Sequence, residues 1–151
     1  MSRELLHLTV AAIVYFEHKF LLVEERDKLT GQRVLNQPAG HVEQDEDLLS
    51  AVKRELFEET GLALEPSAWL GISQLKAANG HRYVRLNIVF EPTSLPAQYQ
   101  PQDSDILALH WYSANELLQA ALPLRSRLVS DAISLYTQGV RLPLSLIQPT
   151  R

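Results

Sequence analysis

The sequence predicts an α+β protein, a mixed β-sheet flanked by about three helices. Three observations point there. Runs rich in Val, Leu, Ile and aromatic residues recur with turn residues between them, as in a sheet. One stretch, Asp45 to Thr60, carries apolar residues at helical spacing. A capping box and a glycine stop mark two further helices behind the last strand.

Taken in order, His7 to Phe16 and Phe20 to Glu24 are two strands, with Glu17-His18-Lys19 as the hairpin turn. Arg26 to Arg33 is polar, carries Gly31 and forms a loop. Val34-Leu35 is a short strand closed by Pro38-Ala39-Gly40. Leu48, Leu49, Val52 and Leu56 then recur at helical spacing, and Gly61 ends that helix. Strands follow at about Trp69 to Leu75 and Tyr83 to Phe90, with the turn signal Asn79-Gly80 between them. Pro92 to Ser104 is a long polar loop, and Ile106 to Tyr112 is another strand. Ser113 and Glu116 form a capping box that opens a helix over Leu117 to Ala121. A last helix runs from Ser126 to Thr137 and stops at Gly139.

The 151 residues fit one domain, 1–151, with no internal repeat or linker. Several function classes fall away on composition. With no cysteine there is no disulfide framework, thiolate zinc site or cysteine nucleophile, and a reducing, cytoplasmic compartment is expected. The longest apolar run, Leu8 to Phe16, is too short for a bilayer, which needs about 20 residues, so no membrane partner is expected. A chain of net charge −4 with no basic block does not suit a nucleic acid polymer. That charge has a location. Seven acids and two bases lie between Glu43 and Glu59, a local charge of −5, and the other 134 residues sum to +1.

On a helical wheel Leu48, Leu49, Val52 and Leu56 share one arc, and Glu55, Glu58 and Glu59 an adjoining one. Like charges at i,i+3 and i,i+4 repel by a few tenths of a kcal/mol per pair, and more beside the negative end of a helix. A sequence chosen for helix stability alone avoids this. Either the face is simply solvated, with Lys53 and Arg54 partly neutralising it, or it holds a divalent cation. Hard cations such as Mg²⁺ take oxygen ligands and share them with substrate phosphates.

The surrounding residues favour the second alternative. From Gly40 the chain reads Gly, five residues, Glu46, seven residues, Arg54-Glu55-Leu56, one residue, Glu58-Glu59, one residue, Gly61-Leu62. This matches the Nudix hydrolase signature at all nine specified positions of a box spanning 40–62, and the flanking strands and Trp111 agree with it. The chain therefore resembles the Nudix hydrolases. The resemblance implies the Nudix fold, an α/β/α sandwich, and roles for individual residues. Glu55, Glu58 and Glu59 correspond to metal-binding carboxylates, and the carbonyl of Ala39 to a further ligand. Glu46 and Arg54 correspond to an ion pair, with Arg54 also orienting Glu55. Gly40 lets the loop fold onto the helix start, and Gly61 ends the helix.

Family members hydrolyse diphosphate linkages, with water attacking phosphorus, metals neutralising phosphate charge and a carboxylate taking the proton. The resemblance thus implies an enzyme acting on phosphorus anhydrides, with Mg²⁺ as cofactor and Mn²⁺ as a substitute. The base is either Glu55 or a loop carboxylate, Asp103 or Asp105; these two aspartates also suit turn formation. The residues past the box, Ala77-Ala78-Asn79-Gly80, support neither the ADP-ribose nor the dinucleoside polyphosphate subgroup. Asn36-Gln37-Pro38-Ala39-Gly40-His41, Asp103-Ser104-Asp105-Ile106, Leu124-Arg125-Ser126, Leu128-Val129, Tyr136, Gly139, Arg141 and Pro143-Leu144 are similar to the NudJ-type bacterial phosphatases. That likeness implies small-molecule phosphate substrates: nucleoside tri- and diphosphates, hydroxymethylpyrimidine diphosphate and thiamine diphosphate. Leu35 departs from it, standing where those relatives often have Trp before Asn-Gln-Pro; it either alters base preference or is simply core.

Cations for the phosphates must come from outside the box. Arg85, Arg33 and Arg26 are the candidates, because Arg gives bidentate phosphate contacts. Arg85 and Arg33 otherwise face solvent on their strands, and Arg26 and Lys28 sit in a loop. His41 and His81 are within reach of a ligand or structural, while His110, Trp111 and Tyr136 read as packing. Two other functions stay open: a nucleotide-sensing Nudix module without turnover, and an acidic helix in an unrelated scaffold. The chain retains every box carboxylate, against the former. A monomer or homodimer fits either way.

Overall fold

A computed structural model of the protein describes residues 5–151; residues 1–4, with which the expected 1–151 domain begins, lie outside the described residues. The strands are β1 (Leu6–Phe16), β2 (Lys19–Arg26), β3 (Arg33–Asn36), β4 (Ala39–His41), β5 (Ala68–Lys76), β6 (Arg82–Phe90) and β7 (Ile106–Tyr112). The helices are α1 (Leu48–Thr60), α2 (Ala114–Leu118) and α3 (Arg127–Thr137), followed by a 3₁₀ turn at Leu144–Leu146.

The sheet is mixed and has seven strands, with β3-β2-β1-β6-β5 as its main path, β4 added to β1 and β7 added to β2. β1 runs parallel to β6 from Leu6↔Arg82 to Val14↔Phe90. The hairpin pairs β1 with β2 only at Tyr15↔Phe20 and Phe16↔Lys19. Glu17 and His18 make its two-residue turn at φ 49° and 69°, the left-handed geometry such turns require. Beyond the hairpin end β1 takes β4 as its partner and β2 takes β3, so the sheet splays into two lobes. Residues 36–39 cross the gap between them, and that crossing positions the site.

Alternation along β1 sorts the core. Val10, Ala12 and Val14 face α1 through Val52 and Leu56. Ala11 and Ile13 face α3 through Val129, Ala132, Ile133 and Tyr136. Helices thus cover both faces of the sheet, the expected α/β/α sandwich. No helix among the described residues is long and apolar enough to cross a membrane.

Three expectations are corrected. β4 had no sequence signal, because its three residues form a strand only by pairing with β1. The capping box is present, with Ser113 Oγ accepting from Glu116 N and Glu116 Oε1 from Ser113 N, but its helix spans Ala114–Leu118 rather than Leu117 to Ala121. The box helix starts at Leu48, not Asp45, with Asp47 in the N-cap position and its carboxylate accepting from Thr150 N at 3.0 Å.

Gly61 ends α1 at φ 79°, donating its N–H to the Phe57 carbonyl. A Cβ there would stand 2.3 Å from the Gln100 carbonyl oxygen. Just beyond, Gln102 N and Asp103 N both donate to the Glu58 carbonyl, at 2.8 and 2.9 Å. The long loop is thereby docked on the end of the helix. Gly61→Ala meets both a backbone clash and a left-handed φ, so it should lower stability by about 2–3 kcal/mol. Urea unfolding measures this; a loss under about 0.5 kcal/mol would show that the loop yields without cost.

Candidate active site

The splay between the lobes opens a cleft of about 870 Å³. Box residues Ala39, Gly40, Glu55 and Glu59 line one side, and β1 and β6 supply Thr9, Tyr83 and Arg85. The end of β2, rather than the expected loop, supplies Arg26, and the loops supply Asp103, Asp105 and Arg125.

Helical spacing puts Glu55 and Glu59 one turn apart on the inward face of α1, 9% and 7% exposed. Arg54 fixes this end of the helix. Its Nε and Nη2 grip Glu46 bidentately at 2.8 and 2.6 Å, Nη1 reaches Glu55 at 2.9 Å and Glu58 at 3.2 Å, and Nη2 also donates to the His41 carbonyl. The bond from Arg54 leads in holding the Glu46 carboxyl below its ordinary range, and the Glu46 carboxylate, then Glu55, hold Arg54 firmly protonated. The expected Glu46–Arg54 pair and the orienting of Glu55 are thus both present.

Gly40 lets β4 lie close against α1, at Glu55 rather than at the helix start: a Cβ on Gly40 would lie 2.3 Å from the Glu55 carboxyl. Glu58 is also placed differently, since it turns to Arg54 and is absent from the cleft lining. Among the described residues, no group of three or more His, Cys, Asp or Glu side chains is already arranged to hold a metal.

The two inward carboxylates nonetheless suit a divalent cation. Burial raises the Glu55 carboxyl despite its bond to Arg54. Glu59 accepts one bond, from Ala39 N at 3.1 Å. Burial pushes it up to about 9, opposed by that bond and reinforced by Glu55, Glu25 and Asp103. Two buried carboxyls share one cationic partner, and a hard cation ligated by oxygen would take the place of the proton that burial holds on Glu59.

The phosphate-binding candidates separate. Arg85 is 6% exposed and lies in the cleft wall, its Nη1 donating to Gln37 Oε1 and Nη2 to Asn36 Oδ1, both at 3.1 Å. Burial brings it down to about 10. It does not face solvent. Arg26 lines the rim, donating to the Gly31 carbonyl. Arg33 lies outside the lining and pairs with Glu24, which also meets His110 at 2.8 Å.

Arg125 lines the cleft without having been singled out as a ligand, and so do Asn36 and Glu25. Arg125 is placed when residues 123–125 run beside Leu35, Leu35 N donating to the Pro123 carbonyl and Arg125 N to the Leu35 carbonyl. No hydrophobic pattern marks that pairing. Asp103 and Asp105 both reach the cleft, and Asp103 Oδ1 accepts from Asp105 N at 2.9 Å, the turn role that aspartates often take. His41 lines the rim in a hydrogen-bonded run with His7 and His81, at 2.9 and 2.6 Å. Leu35 is fully buried in the core. Trp111 donates to Tyr99 Oη and Tyr136 to Glu91, so both serve packing.

A sequence model of the NUDIX domain matches residues 5–132. The chain belongs to the Nudix family and is a hydrolase of phosphoanhydrides. It is 43% identical over 141 residues to the phosphatase NudJ of Escherichia coli K12, across 93% of this chain and 90% of that protein. A NUDIX hydrolase from Nitrosomonas europaea superposes with a TM-score of 0.85 at 35% identity, covering 94% of this chain and 95% of its own. A bifunctional NMN adenylyltransferase/ADP ribose pyrophosphatase of Francisella tularensis, complexed with AMP and a Mn ion, shares the fold at 20% identity and a TM-score of 0.63. That match covers 87% of this chain and 40% of that one.

Two expectations follow from the box. The backbone of Gly40 is not in the left-handed region, so Gly40→Ala should melt near wild type while displacing Glu55 and lowering kcat by about 100-fold. Unimpaired turnover would show that Glu55 tolerates displacement. In chelator, folded protein holds the Glu59 proton up to about pH 9, whereas the unfolded chain releases it near the ordinary value of 4.5. Metal-free stability should therefore fall as pH rises through that window. Glu59→Gln should flatten the decline in melting temperature against pH; an unchanged slope in this variant would mean that Glu59 ionises without cost.

Proposed function

We propose that this chain is a divalent-metal-dependent phosphatase, with Mg²⁺ resident and Mn²⁺ a substitute. Its substrates are nucleoside tri- and diphosphates and related diphosphates such as hydroxymethylpyrimidine diphosphate or thiamine diphosphate. The carrying observation is one cleft in which buried Glu55 and Glu59 are opposed by buried Arg85. The substrate class is supported by 43% identity to a phosphatase over nearly the whole chain.

Glu55 and Glu59, with the Ala39 carbonyl, would hold the metal; Glu58 would join them by exchanging Arg54 for the cation. When bound, the metal supplies charge neutralisation of the phosphate and a more acidic water. Arg54 keeps Glu55 in place. Arg85 binds phosphate oxygens from the β6 wall, and Arg26 and Arg125 meet the outer part of the substrate from the rim. A carboxylate takes the proton of the attacking water. Glu55 is the best placed of the three candidates, because Asp103 is occupied in its turn and Asp105 pairs distantly with Lys28. One catalytic domain in the cytoplasm suits the cysteine-free composition.

Phosphate release should be measured with Mg²⁺ on nucleoside tri- and diphosphates, hydroxymethylpyrimidine diphosphate, thiamine diphosphate, ADP-ribose and a dinucleoside polyphosphate, scoring orthophosphate and pyrophosphate separately. Orthophosphate should dominate, and chelation should abolish it. Glu55→Gln and Glu59→Gln should each lower kcat by at least about 100-fold in a folded protein. Pyrophosphate alone from triphosphates would reject the phosphatase assignment, and near-normal turnover in both variants would reject the site.

A further inference from the structure

We infer that Asn36 and Gln37 are positioning residues that hold Arg85 as an uncompensated cation facing the substrate phosphate. The inference rests on Arg85 being a phosphate ligand, and it concerns what makes it one.

A buried guanidinium ordinarily has a bonded carboxylate, because an unpaired buried charge is costly. Arg54, Arg125 and Arg33 are all more exposed than Arg85, yet each has such a partner, in Glu46, Glu25 and Glu24. Arg85 departs from it. Its side-chain hydrogen bonds go to two neutral amide oxygens, and its Nε is buried without a partner. Arginine has five N–H donors, so this cradle leaves capacity for a bidentate contact with a phosphate.

The amides cannot turn their oxygens elsewhere. Asn36 Nδ2 donates to Glu25 Oε1 at 3.1 Å, and Gln37 Nε2 to the Val129 carbonyl at 3.0 Å. Each amide is fixed at its nitrogen end, one by β2 and the other by α3, so each must present its oxygen to Arg85. Both are nearly inaccessible, Gln37 at 1%. They can be there because the chain crosses between the lobes at this point. Glu25 acts on Arg85 only through space, its own bonds going to Arg125 and Asn36. An amide stands where a carboxylate would cancel the charge. Burial brings the guanidinium down to about 10, with Glu25 opposing this through space without bonding to it, so it stays cationic at neutral pH.

The test is to put the carboxylate back. Gln37→Glu and Asn36→Asp are isosteric and place an anion on the guanidinium from two independent positions. Each should raise KM for a nucleoside diphosphate by at least about tenfold with kcat within about threefold. Each should also abolish the rise in melting temperature that inorganic phosphate gives the wild type. A merely structural role would lower kcat and basal melting temperature without this split. Arg85→Gln distinguishes the two levels. If it leaves KM and the phosphate shift unchanged, the assignment of Arg85 is wrong. If it removes them while both amide variants behave as wild type, Arg85 stands and the positioning role is overturned. If either amide variant fails to fold, the other decides.

Discussion

Much of this site depends on one guanidinium. Arg54 binds the loop through Glu46, strand β4 through the His41 carbonyl, and the helix through Glu55 and Glu58. A planar fork with fixed donor directions can do this; a lysine ammonium could not reach several partners in fixed geometry. The register between β4 and α1 is thereby set before any ligand arrives. Gly40 then comes within a Cβ's distance of Glu55, and Ala39 N meets Glu59. The pair is half shielded and charge-assisted, so it combines attraction with bidentate specificity.

Charge is deliberately unbalanced around the cleft. Glu59 lacks a cationic partner on one side and Arg85 lacks a bonded anionic one on the other. Each destabilises the empty fold. The two apolar clusters on opposite faces of the sheet offset this, with α1 closing one and α3 the other. The sequence's charge of −5 between Glu43 and Glu59 is correspondingly not one uniform acidic face. Glu43, Glu46 and Glu58 gather on Arg54, while Glu55 and Glu59 turn inward.

Legibility in the sequence followed the range of the forces involved. β1, β2 and α1 were readable because their hydrophobic periods are local, and the Ser113–Glu116 cap because it is a four-residue device. The Glu46–Arg54 pair and the inward glutamates were readable through the box spacing. β4, Arg125 and the amide cradle were not. β4 exists by pairing with β1, Arg125 arrives through a contact with Leu35 far away in the chain, and Asn36 and Gln37 face Arg85 only because two lobes diverge. Arg33 lies outside the cleft lining for a related reason: it is drawn to Glu24, a partner on the neighbouring strand that no local pattern marks.

The docking of Gln102 N and Asp103 N on the Glu58 carbonyl carries one more consequence. A helix end normally leaves its last carbonyls to solvent or to a cap close in sequence. Here a segment more than forty residues away completes the cap. The cleft wall bearing Asp103 and Asp105 is therefore pinned by two amides to the end of α1 although it has no secondary structure of its own. Insertions in the preceding polar loop can lengthen the wall without loosening that anchor.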